Sequence, residues 1–295
     1  MDNKKRTLIQ AAAAFLQNAH VTGFFTGKIY TGAGKNVCVP GLNCYSCPGA
    51  LGACPVGSLQ NALSAWKFRF PYYVLGLMVF FGAVFGRLVC GFLCPFGFLQ
   101  ELLFRIPSPR KLRTFRGDAS LRYVKYAVLI IMVIILPMAH KFTPFYCKYL
   151  CPSGTLSGML LSAADSRLRG LFGWIFTWKA LVLTAVVLSS IVIFRPFCKY
   201  LCPLGAFYSL FNRASAVRLA IDSGKCTDCG ACARVCDMAV NPAASPNHSE
   251  CIRCGKCVSR CPHGALCFTV FSRPIGVRAP EVISPLDERP EKDNK

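Results

Sequence analysis

The chain has 295 residues, of which 54% are hydrophobic and only 16% charged, and its mean hydropathy is +0.43. Soluble domains carry about 25% charged residues, so the composition argues against a purely soluble protein and excludes a disordered, collagenous or coiled-coil chain. Lys and Arg number 34 against 13 Asp and Glu, a formal +21, and 19 cysteines stand far above background. Between residues 3 and 220 the acids are Glu101, Asp118 and Asp165 alone. The basic residues there alternate with apolar runs, as in loops that flank membrane spans, and not as on a nucleic-acid surface.

In chain order, Lys4-Lys5-Arg6 opens an apolar stretch that no A-x-A cleavage site of a secretory leader follows. Four uncharged runs follow. Residues 7–27 form the weakest, because they include Gln10, Gln17, Asn18 and His20. The others are 70–86, 126–140 and 180–194. A helix needs roughly 20 residues, about 17–25, to cross a bilayer, and a flanking Lys can lengthen a short one by reaching to the interface. The sequence therefore predicts an α-helical integral membrane domain over 1–220, with about four spans near 7–27, 70–88, 124–140 and 174–194. The loop 87–125 holds eight basic residues and is expected in the cytoplasm. Alternation then places both termini inside a multi-pass protein of the cytoplasmic membrane, with loops 28–69 and 141–179 outside. Glu101 and Asp165, near the membrane edges, are expected to be solvated or ion-paired.

The membrane half contains a repeat. Cys90-x3-Cys94-Pro95-x-Gly97, Cys147-x3-Cys151-Pro152-x-Gly154 and Cys198-x3-Cys202-Pro203-x-Gly205 share one pattern. A degenerate fourth copy, Cys54-Pro55-x-Gly57, follows Cys47-Pro48, and its tail to Gln60 resembles the stretch from Pro95 to Gln100. At a helix start, C-x3-C puts both sulfurs on one face, one turn apart. The following proline removes an N–H and fixes the exit of the chain. Two facing hairpins supply four thiolates. The expected topology gathers Cys90, Cys94, Cys198 and Cys202 at the inner membrane edge. It gathers Cys44, Cys47, Cys147 and Cys151 outside, with Cys38 and Cys54 as alternatives, in the manner of an inverted repeat. The competing reading makes these cysteines small core residues near helix ends.

Next come Cys226-x2-Cys229-x2-Cys232-x3-Cys236 and Cys251-x2-Cys254-x2-Cys257-x3-Cys261-Pro262, the spacing of a bacterial two-cluster ferredoxin. Three cysteines wrap one face of a cubane and the fourth comes from the other run. Cluster 1 is thus assigned Cys226, Cys229, Cys232 and Cys261. Cluster 2 is assigned Cys251, Cys254, Cys257 and Cys236. Asp237 stands where proline is usual, which affects the turn and not the ligand. Gly230 and Gly255 sit where the loop must turn tightly. Paired zinc sites are the alternative. A small α+β domain is expected over 221–271, with Cys267 as a core residue in a short strand, followed by a disordered tail over 272–295.

The spans, the C-x3-C-P hairpins and the trailing double motif resemble the NapH-type membrane ferredoxins of periplasmic nitrate reductase systems. In that family a four-span membrane part leads into a cytoplasmic two-cluster domain. Its two hairpin motifs correspond to Cys90/Cys94 and Cys198/Cys202. The loop with Cys38, Cys44 and Cys47, and the pair Cys147/Cys151, are additions, so the chain looks more like a Cys-rich branch of 4Fe-4S binding proteins. The resemblance implies an electron-transfer subunit, not a stand-alone enzyme. Phosphate loops, H-E-x-x-H and nucleophile elbows are missing from the sequence. The expected cofactors are two [4Fe-4S] clusters in the ferredoxin domain and one or two more in the membrane domain. The expected partners are redox proteins, quinone and lipid, with no nucleic acid. The alternatives are a metal-handling factor that delivers copper or clusters to a respiratory enzyme, since soft thiolates also select Cu(I), or a redox sensor.

Overall fold

The computed structural model describes residues 3–64, 72–108, 111–140, 143–164, 173–271 and 273–275. The start of the second uncharged run (70–71), Asp165, and residues 272 and 276–295 of the expected tail lie outside the described residues.

Among the described residues, two helical stretches are long and apolar enough to cross a bilayer, Asp118–Ala139 with 22 residues and Trp174–Val192 with 19. Both turn large apolar side chains outward, Ile130, Ile131 and Ile135 on the first, Leu181 and Leu188 on the second. Helical faces of this length and apolarity suit hydrocarbon, because every backbone group is already bonded within the helix. The protein is therefore membrane-associated. The first stretch widens into a π-helix over Val128–Ile135 and then meets Pro137, which has no N–H to continue a regular ladder. The helix Tyr72–Phe85 is apolar and has 14 described residues.

The first uncharged run is not one helix. It forms Asn3–Gln17 and Thr22–Thr26, with a break between them. Its polar residues account for this. Gln10 donates to the Gly91 carbonyl at 2.7 Å and Gln17 to the Leu93 carbonyl at 2.7 Å. His20 Nδ1 lies 2.9 Å from the Pro48 carbonyl. Leu8, Phe15 and Leu16 face outward instead. The side chains that weaken the hydropathy of this run thus grip the carbonyl-rich end of a cysteine hairpin.

Four helices begin immediately after a cysteine: Pro55–Ser64, Pro95–Phe104, Pro152–Ala164 and Pro203–Leu210. Proline at the first helical position loses nothing there, since that N–H has no partner within the helix. The cysteine before it caps the helix. Gly97 N–H donates to Cys94 Sγ at 3.4 Å and Gly205 N–H to Cys202 Sγ at 3.3 Å. The first cysteine of each full repeat lies on a five-residue helix, Leu88–Phe92, Phe145–Tyr149 or Pro196–Tyr200. Arg195, at φ 48°, turns the chain sharply into the last of these.

After Asn212 the chain enters an antiparallel sheet in the order β1 (Val217–Ile221), β2 (Leu266–Val270), β3 (Arg273–Ile275). The register pairs Val217 with Val270 and Ile221 with Leu266. The sheet therefore begins four residues before the expected boundary at Ile221. It also takes Arg273–Ile275 from the expected tail, because β2 offers that segment a free edge. Cys267 is buried on β2, opposite Ala220.

One apolar core runs from the 38–63 region through the hairpins to Ile252. The cysteine-rich C-terminal part is clamped onto the hairpins. Asn212 Nδ2 donates to the His248 and Cys251 carbonyls at 2.8 Å each. Arg253 donates to the Phe85 carbonyl at 2.9 Å and the Asn212 carbonyl at 2.6 Å. Gly91 marks the closest approach, since a Cβ there would collide with the Ile252 carbonyl oxygen. Gly91→Val is therefore expected to destabilise the full-length protein by about 1–3 kcal/mol through overpacking, measured as a lowered denaturation midpoint in detergent.

Candidate metal centres

The eighteen cysteines assigned to sites or held as alternatives fall into four neighbourhoods. Cys226, Cys229, Cys232 and Cys261 line one cavity. Cys236, Cys251, Cys254 and Cys257 line another. Each cavity thus draws three cysteines from one run and the fourth from the other. The two C-x2-C loops follow the same path: Asp228 and Arg253 have φ 49° and 52°, and Gly230 and Gly255 have φ 68° and 77°. The left-handed glycines start the short helices Ala231–Val235 and Lys256–Arg260. Sequence reasoning found the glycines. It missed the two left-handed side-chain residues, which no spacing signals.

In the membrane half, Cys90, Cys94, Cys198 and Cys202 are all buried and lie within electrostatic range of one another. The second neighbourhood differs from expectation in one member. Cys147 is in range of Cys151, Cys54 and Cys44, and Cys54 is in range of Cys151 and Cys44. Cys54, held as an alternative, joins Cys44, Cys147 and Cys151. Cys47 stands beside Cys44 but is turned to Asn18 Oδ1, at 3.6 Å. Cys38 is bonded to Ser58 Oγ at 3.5 Å. The cause is helix capping. Cys54 immediately precedes Pro55–Ser64, as Cys94 precedes Pro95–Phe104, and that cap aims its sulfur at the facing hairpin.

Burial pushes the Cys54 thiol up to about 12 and the Cys151 thiol to about 11. Left alone, such thiols keep their protons; a cationic metal core would release them. Among the described residues, no three His, Cys, Asp or Glu side chains converge on a single-ion position.

Six buried or half-buried cations and three acids form ion-pair groups, of which Arg87 and Arg195 reach the inner set. Arg87 lies 2.8 Å from Glu250, whose other oxygen meets Lys125. Glu101 is paired with Arg6 at 2.8 Å and Arg195 at 2.7 Å. Asp118 is paired with Arg122 and Lys199. Glu101 is therefore ion-paired but buried, with no solvated face. Burial opposes the charge on Glu250, yet Arg87 and Lys125 hold its carboxyl at about 2. Arg87 and Arg195 also donate to the Cys198 and Cys90 carbonyls. Two cations for each acid leave a positive surplus, which suits an anionic four-thiolate cluster. The sequence reading expected an excess of Lys and Arg near the clusters; the structure adds which acids pair with it.

The 4Fe-4S binding domain family matches the membrane half three times, over residues 70–114, 124–174 and 167–221. A second family described as 4Fe-4S binding domain matches residues 244–267. An uncharacterized protein of Methanocaldococcus jannaschii is 30% identical over 203 residues, 66% of this chain and 77% of its own length. The ferredoxin-type protein NapH of Haemophilus influenzae is 26% identical, over 63% of each chain. The chain belongs to the NapH-type 4Fe-4S family. A further NapH-type relative, the methylamine utilization ferredoxin-type protein MauN of Paracoccus denitrificans, is 29% identical over 68% of this chain and 66% of its own. The chain spans about two thirds of the length of these two ferredoxin-type relatives. No solved structure matches it. The family matches and the ferredoxin-type relatives support an iron–sulfur electron-transfer role.

Proposed function

We propose that the protein carries electrons through four [4Fe-4S] clusters, from a cytoplasmic ferredoxin domain to the opposite face of the cell membrane. Cys226, Cys229, Cys232 and Cys261 hold the first cluster, and Cys236, Cys251, Cys254 and Cys257 the second. The inner membrane site uses Cys90, Cys94, Cys198 and Cys202. The outer site uses Cys44, Cys54, Cys147 and Cys151. Each cluster supplies one-electron chemistry; the chain supplies burial, hydrogen bonds and charge. The membrane domain covers 1–220, crosses the bilayer several times, and has both termini inside. A quinone or an outer redox protein is the far terminus.

The observation that carries this reading is the pair of tyrosines between the two membrane sites. Tyr146 and Tyr208 are both fully buried. Tyr146 is in electrostatic range of Cys147, Cys151 and Cys54 on one side and Cys202 on the other. Tyr208 is in range of Cys90, Cys94 and Cys202, and also of Cys54. A hydrocarbon core is about 30 Å thick, too far for one tunnelling step between its faces. Sites that share one apolar core, in which Tyr208 Oη donates to the Pro40 carbonyl at 3.0 Å, shorten that step. The cavity of the second cluster meets the same core at Cys236, Ile252 and Cys254. A single-ion copper carrier is less well supported, because no such donor set converges among the described residues.

The test uses vesicles that hold the full-length protein and enclose a membrane-impermeant electron acceptor. Dithionite added outside is expected to reduce that acceptor through the protein, and Cys257→Ser is expected to abolish the flow. A full complement of iron with no flow would refute the conduit.

A further inference from the structure

Two buried glutamines occupy matching places in the two membrane sites, six residues after the capping cysteines Cys54 and Cys94. Gln60 Nε2 donates to Cys147 Sγ at 3.3 Å, and its Oε1 accepts from the Tyr146 N–H at 3.0 Å. Gln100 Nε2 donates to Cys198 Sγ at 3.1 Å, and its Oε1 accepts from the Phe197 N–H at 3.1 Å. Each also reaches a carbonyl of its own helix, Val56 or Phe96. Both side chains are nine-tenths or more buried. Each therefore crosses from one hairpin to the first cysteine of the facing hairpin, and grips the residue before that cysteine as well.

We infer that Gln60 and Gln100 are positioning residues that set the reduction potentials of the outer and inner membrane clusters. The inference rests on the proposal that these sites hold clusters. Reduction adds one negative charge, spread largely over the sulfurs. A donor aimed at a ligand sulfur stabilises the reduced form more than the oxidised one, and hydrogen bonds to the sulfurs are a principal control of cluster potential. In a dry site such a bond is stronger than in water. The amide performs both tasks because it has a donor and an acceptor at one tip. Its acceptor orients the hairpin and its donor acts on the sulfur. The duplication lets each site be adjusted independently.

The experiment is a redox titration of the anaerobically purified full-length protein, followed by EPR, with iron and sulfide measured on the same samples. Gln100→Met is expected to retain iron and to lower the reduction equilibrium constant of one cluster about tenfold, a shift of 59 mV for one electron. Gln60→Met is expected to shift a different cluster and leave the first unchanged. Gln10→Met is the control, because Gln10 bonds the Gly91 carbonyl and no sulfur; it is expected to shift neither. Full iron with unchanged potentials in both glutamine variants would overturn the inference while leaving the clusters standing. About 8 Fe per chain in the unaltered protein would overturn the membrane clusters, and the inference with them. If Gln100→Met loses its cluster, Gln100→Glu, which keeps the acceptor for the Phe197 N–H, is titrated in its place, and an unchanged potential there also overturns the inference.

Discussion

Replacing Cys54 with alanine is expected to remove about four of some 16 Fe per chain, whereas Cys47→Ala leaves the iron unchanged. The two cysteines lie seven positions apart in one loop, and each is followed by proline. Only Cys54 caps a long helix and lies in range of Cys44 and Cys151. Cys47 is bonded to Asn18 instead. Iron and acid-labile sulfide per chain decide the matter. Loss of iron from the Cys47 variant and not from the Cys54 variant would reassign the outer site. In the unaltered protein, about 8 Fe would mean that only the ferredoxin cysteines are loaded.

The second large effect is expected at Glu250. Its carboxylate is buried between Arg87 and Lys125, and it directly precedes Cys251. Glu250→Gln leaves two buried cations without a counter-charge. Breaking a buried pair from one side costs about 3–5 kcal/mol. The variant should unfold at markedly lower denaturant and lose magnetic interaction between the second cluster and the inner site. The pH dependence has a definite sign. The folded carboxyl titrates near 2, below the unfolded value of about 4.3. Its contribution is complete above about pH 4.3 and disappears as the pH falls toward 2. The stability gap between the wild type and Glu250→Gln should therefore narrow over that acid range; a gap independent of pH would show that the pair is not the cause.

The ferredoxin pattern was legible because it is local. Three cysteines within seven residues fix one face of a cluster, and Gly230 and Gly255 supply the turn. The hairpins were legible for the same reason, since C-x3-C-P-x-G encodes a cysteine cap and a proline start within eight residues. The first uncharged run was harder to read. Gln10, Gln17 and His20 look like flaws in a membrane span until their partners, the Gly91, Leu93 and Pro48 carbonyls, are known. Those partners lie 28 to 81 positions away along the chain. Gln60 and Gln100 did leave a trace, as the last residue of the matching tails, but the trace carried no hint of sulfur.

The sequence by itself determined that this is an apolar, basic, cysteine-rich chain of the 4Fe-4S kind, with a double ferredoxin motif and repeated cysteine–proline helix starts. Those properties rest on spacing and composition, which act over a few residues. Only the tertiary structure decided which of Cys38, Cys44, Cys47, Cys54, Cys147 and Cys151 lie together and which acids neutralise the basic excess. These depend on contacts between segments roughly 30 to 165 positions apart, such as Asn18 with Cys47, Gln60 with Cys147 and Arg87 with Glu250. The path of the chain closes those contacts, and no local preference specifies them.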